Sequence, residues 1–144
     1  MRLTSPGLFA IASVATLALS GCGLLTGPSD GEVADMLGTW TLTGTQSAPA
    51  LDFAGTLTIT AQRGSEIVGT ASWEERDGSG SIRLDGGPIS GLVLTASDVD
   101  FDITLLSGER RMIGRLSADT LTGAWAQPSA SSNGGFRAVR RSPL

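Results

Sequence analysis

Histidine, lysine and tyrosine are absent from the 144 residues of this chain, and cysteine occurs once. Without histidine there is no Ser–His or Cys–His nucleophilic pair and no imidazole metal ligand. A single cysteine excludes an intrachain disulfide, so packing must hold the fold. All ten basic residues are arginines, set against fourteen acidic ones, for a formal net charge of −4. That balance argues against nucleic acid as a partner and against electrostatic adhesion to anionic lipid. Long hydrophobic runs are missing too. The uncharged apolar stretch 7–19 is shorter than the roughly 20 residues that cross a bilayer.

That stretch follows a short positive start, Met1-Arg2, and ends in Leu19-Ser20-Gly21-Cys22. Positive, apolar and small-residue regions in this order form a secretory signal. The four residues that close it resemble the lipobox of bacterial lipoprotein precursors. The resemblance implies cleavage before Cys22, acyl chains on its thiol, and a place in the bacterial cell envelope with the domain outside the cytoplasm. Buried acyl carbons each contribute roughly 0.8 kcal/mol, and two or more chains anchor stably. Gly23, not Asp, follows the cysteine, which in Gram-negative relatives leaves outer-membrane sorting open. The layout is then signal 1–21, lipidated tether 22–37, a folded domain 38–141 and a short tail 142–144. Without Arg2, nine arginines face fourteen acids, so the mature chain carries a formal −5. The membrane partner is held by lipid, not by a basic patch.

Within the tether, Gly27-Pro28-Ser29-Asp30-Gly31 is turn-forming. Ser29 and Glu32 have capping-box spacing, followed by Val33, Met36 and Leu37 at helical intervals. This predicts a short helical turn plugging the end of the next domain; the alternative is plain linker. From Gly38 onward Thr, Val, Ile, Leu and Trp alternate with polar residues, and glycine-rich turns recur about every ten positions. Strands are expected near 39–43, 56–60, 67–73, 81–95 (one long, or two broken at Gly86-Gly87-Pro88), 99–106, 111–116, 120–125 and 136–141. Eight strands with short links predict an all-β domain, an up-and-down antiparallel meander closing into an eight-stranded barrel. A β-sandwich is the competing architecture. Alternation points Trp40, Leu42, Leu57, Ile59, Ile67, Ala71, Trp73, Val99, Phe101, Ile103, Leu105, Trp125 and Phe136 inward.

Gly38-Thr39-Trp40 on the first strand, with Arg137 and Arg140 on the last, resembles the calycin superfamily of lipocalins, fatty-acid-binding proteins and avidins. The resemblance implies a structural clamp in which arginine covers the tryptophan and closes the barrel. The chain also resembles small Gly/Thr-rich barrel domains of bacterial lipoproteins, through Leu121-Thr122-Gly123-Ala124-Trp125.

Other constellations carry less. Asp98, Asp100, Asp102 and Glu109 fall at EF-hand positions, but Ile103 stands where the loop demands glycine, so an amphipathic strand is expected. Adjacent Glu74 and Glu75 would face opposite ways. Gly78-Ser79-Gly80 reads as a hairpin turn, and Arg110-Arg111 as a solvated pair at a strand's start. The expectation is a non-catalytic envelope lipoprotein with no cofactor and no metal. It would bind a small apolar ligand in the barrel, touched by Trp73, Phe101 and Trp125, or an envelope protein at its rim. The alternative is an envelope enzyme inhibitor or assembly accessory. Whether those three rings fill the centre separates the two.

Overall fold

The computed structural model of the chain describes residues 32–142. The expected signal, with Leu19, Ser20 and Gly21 of the lipobox-like stretch and Cys22 as its expected lipidation site, lies outside the described residues. Alternating β-branched and polar side chains give eight strands: β1 (Gly38–Ser47), β2 (Ala50–Arg63), β3 (Glu66–Asp77), β4 (Ile82–Val93), β5 (Asp98–Leu105), β6 (Gly108–Ser117), β7 (Thr120–Gln127) and β8 (Ser132–Arg140). Each pairs antiparallel with the next, and β8 returns to β1, so the meander is a closed barrel. Closure removes the unpaired edges that an open sheet of eight strands would leave.

All thirteen side chains expected to face inward are buried. The core also takes Met36, Phe53, Ile89, Val93, Met112, Leu121 and Ala138. Space for one bulky ring is made by a missing side chain: a Cβ on Gly44 would lie 2.1 Å from Cζ of Phe53. Strand β4 runs unbroken through Gly86-Gly87-Pro88. Its pairing with β5 stops at Ile89, so Pro88 faces Thr70 of β3 and has no β5 partner to which it owes an N–H.

The barrel's two ends differ. At one end Met36, 1 % exposed, seals the core. The expected helical turn begins at Ser29, outside the described residues; its described part, residues 32–37, has no regular structure. Barrel side chains take up their backbone groups instead. Gln62 accepts from the Met36 N–H and donates to the Ala34 carbonyl, while the Trp40 indole N–H donates to the Met36 carbonyl at 3.0 Å. With these groups satisfied from outside, no i→i+4 ladder is required. Turns β1–β2, β3–β4 and β5–β6, with the 3₁₀ turn Pro128–Ala130 between β7 and β8, surround the opposite end, called the mouth below.

Candidate functional site

Period-two alternation carries two charged residues into the interior near the mouth. On β3, the parity that buries Ile67, Ala71 and Trp73 also buries Glu75; on β6, the parity of Met112 buries Arg110. Both are under 5 % exposed, and Arg110 Nη2 donates to Glu75 Oε1 at 2.9 Å. The same oxygen accepts from the Trp73 indole N–H at 2.9 Å. The other carboxylate oxygen is paired with Arg83, which comes from β4 and is half exposed. Here the structure corrects one expectation: Arg110 is buried, not solvated, and with Glu75 it sets a charged pair inside the barrel. Arg111, its neighbour, does face solvent and is paired with Asp100.

Aromatic rings complete this layer. Phe53 stacks on Trp73 with centroids 4.2 Å apart and meets Trp125 edge-on at 5.5 Å. The Arg110 guanidinium lies 5.9 Å from the Trp73 centroid and 5.6 Å from that of Trp125. Indole faces are negative, so they offset part of the buried positive charge, each by roughly 0.5–2 kcal/mol. Phe101 belongs to a different layer, where it packs edge-on against Phe136 at 6.4 Å. Trp73 and Trp125 are thus brought together through Phe53, and Phe101 is not among them.

Above this layer the mouth holds a recess of about 260 Å³, lined by Leu51, Glu75, Asp77, Ser81, Ile82 and Arg83. Its surroundings expose apolar side chains: Ile82, Leu84 and, at 96 % exposure, Leu106 of the β5–β6 turn. Two broader recesses, one on the outer face by Thr43, Asp52 and Arg137 and one at the sealed end by Glu32, Arg63 and Leu94, contain no buried charged side chain.

Carboxylates around the mouth are committed to the backbone. Asp77 Oδ1 accepts from the N–H groups of Ser79 and Ser81 and from the Ser79 hydroxyl. Asp85 accepts from the N–H groups of Gly86, Leu106 and Ser107. Burial alone would raise the Asp85 pKa, but hydrogen bonds from Ser107, Leu106 and Gly86 outweigh it and hold it at about 2.

At the sealed end Arg140 lies over the Trp40 ring, 4.4 Å from its centroid, and donates to the carbonyls of Asp35 and Leu37. Gly38 sits beside it at φ 112°, a conformation that suits glycine, and a Cβ there would face Arg140 Nη1 at 3.8 Å. Arg137 takes no part in this contact. One residue out of phase with Phe136, Ala138 and Arg140, it projects from the outer face, a correction that follows from strand alternation. The Asp98–Asp100–Asp102 row lies on β5 between buried residues, and β6 arginines partner it: Arg115 Nε donates to Asp98 at 3.0 Å and Arg111 binds Asp100 through two nitrogens.

No family model matches the chain, and no curated protein does. Solved structures of designed barrels are similar to it in fold. A de novo designed fluorescence-activating β-barrel aligns at 18 % identity with TM-score 0.54, over 73 % of this chain and 93 % of that one. A redesigned β-barrel, mFAP1, bound to DFHBI, aligns at 15 % identity with TM-score 0.60, over 73 % of this chain and 94 % of that one. At these identities the likeness is one of fold.

Proposed function

We propose that this protein is a non-catalytic, lipid-anchored component of a bacterial cell envelope that binds a small, largely apolar ligand at the mouth of its barrel. The observation that carries the reading is the difference between the ends. Residues 32–37 enter the barrel at the end sealed by Met36, Trp40 and Arg140, opposite the mouth. At that mouth a recess is lined by Leu51, by Glu75 of the buried ion pair and by its half-exposed partner Arg83. Binding at the mouth suits this interior better than binding at its centre, because Trp73 and Trp125 are already packed on Phe53, and Phe101 on Phe136. The designed barrel mFAP1 holds DFHBI, which supports a barrel of this kind as a small-molecule receptor. A second reading, a protein partner docking on the rim, is favoured by exposed Ile82, Leu84 and Leu106.

The test combines anchoring and cargo. Expressed in a bacterial host, the protein should fractionate with membranes, and Cys22→Ser should release it or leave it unprocessed. Native mass spectrometry of the purified wild type should show a retained small molecule. Membrane retention of the Cys22→Ser protein would refute the anchor. A copurified protein in place of a small molecule would favour the rim reading.

A further inference from the structure

The strand glycines of this barrel have a steric or conformational reason, with one exception. Gly38 and Gly108 have positive φ, and a Cβ on any other strand glycine but Gly135 would come within 3.0 Å of another atom. At Gly135 of β8 the backbone lies outside the left-handed region, and a Cβ would meet nothing closer than the Gly123 carbonyl at 3.8 Å. Glycine weakens a strand through its conformational freedom, and one that packing does not demand marks a place where something approaches the backbone closely. Gly135 is exposed on the outer face, between Thr45 of β1 and Ala124 of β7. It lines the outer-face recess of about 610 Å³, together with the rings of Phe53 and Phe136.

Polar groups surround this apolar floor. Arg137, next along β8 on the same face, stands between Thr43 and Thr122, and Asp52 of β2 lies beyond Thr45; all five line the recess. Neither Arg137 nor Asp52 enters an ion pair among the described residues. The guanidinium has only donors, the carboxylate only acceptors, and the threonine hydroxyls both. The two charges cancel, so the lining suits a neutral ligand that offers donors and acceptors side by side on an apolar body.

We propose that this recess binds a neutral glycan: a pyranose ring rests a C–H face on Gly135, and its hydroxyls reach Arg137, Asp52 and the threonines. A β-linked glucan fits best, because its equatorial hydroxyls leave both ring faces flat, whereas an axial hydroxyl would hold the ring off the floor. The site is on the barrel wall, apart from the mouth, and does not depend on the mouth-binding reading.

The experiment uses the purified full chain in detergent, with cellotetraose as probe and zwitterionic tetraglycine as the competing neutral chemistry. Calorimetry gives affinity, and backbone amide resonances give location. Cellotetraose should bind saturably, shifting Thr45, Thr122 and Gly135 and leaving the indole N–H resonances of Trp40 and Trp73 in place. Gly135→Val should keep the denaturation midpoint or raise it, yet lose at least tenfold in affinity, because its side chain fills the floor. Arg137→Gln and Asp52→Asn, both exposed, should each lose several-fold, and they decide the matter should Gly135→Val fail to fold. No saturable binding of cellotetraose, shifts confined to other residues, or a folded Gly135→Val protein that binds unchanged would overturn the glycan site. Tighter binding of tetraglycine than of the sugar would overturn it too.

Discussion

Glu75 and Arg110 show how position decides what a charge is worth. An exposed ion pair contributes roughly 0–1 kcal/mol. A buried one has already lost its hydration, so removing one partner strands the other, at about 3–5 kcal/mol. Glu75→Leu should therefore be destabilising by about that amount, because Arg110 would keep its charge with only the two indoles to offset it. The double substitution Glu75→Leu/Arg110→Leu should lose less than Glu75→Leu alone, since no stranded charge remains. Urea denaturation of both variants and of Arg110→Leu completes the cycle. Additive losses would mean that the two groups do not act as a pair. Arg140 is a different case. Its guanidinium covers Trp40 and also joins the 32–37 segment to β8 through the carbonyls of Asp35 and Leu37. Arg140→Ala should cost about 1–3 kcal/mol through lost cation–π, hydrogen-bond and packing contacts, read as a lower denaturation midpoint.

Between strands β4 and β5, one carboxylate closes a seam that backbone pairing leaves open. The β4–β5 ladder ends at Ile89 and Ile103, and Asp85 lies beyond it, holding the N–H groups of Leu106 and Ser107 in the β5–β6 turn. Its pKa in the folded chain, about 2, is below the ordinary aspartate value of 3.8. A depressed pKa contributes stability that is complete above about pH 4 and fades as pH falls toward 2. Screening by solvent at this partly exposed site keeps the contribution to about 1 kcal/mol. Asp85→Asn should lower the urea midpoint at neutral pH and flatten the acid limb between pH 4 and 2; parallel pH profiles for the two proteins would contradict this. The strands were legible in the sequence because Thr-Leu-Thr-Ile-Thr and Val-x-Phe-x-Ile alternate cleanly. The charged pair was not, although the signal was present. Glu75 continues the parity of Ala71 and Trp73, and Arg110 that of Met112, but a charge at a strand's end ordinarily marks solvent. Phe53 was hidden in the same way, since Gly55 interrupts the alternation that links it to Leu57. Arg137 was the converse error, a charge placed in the clamp although its parity assigns it to the outer face.

For the molecule as a whole, closure and polarity come from different parts of the chain. Hydrogen bonding of β8 to β1 joins residues about 100 positions apart, which closes the cylinder but treats both ends alike. The asymmetry comes from the few residues before Gly38. Met36 is as deeply buried as the strand core, and Val33 and Ala34 pack against that core. The segment is therefore part of the domain's stability, even though it forms no ladder. A chain comprising 38–142 should be less stable than one comprising 32–142 by about 2–4 kcal/mol, the combined scale of one unburied methionine and two or three lost hydrogen bonds. Its far-ultraviolet dichroism should stay that of a β protein, because every strand pair survives. Trp40 should lose its cover and emit at longer wavelength, while Trp73 and Trp125, under their own layer at the mouth, keep their environment. Equal midpoints for the two chains would mean that the barrel seals itself, and the distinction between a closed end and a working end would have to come from the mouth alone.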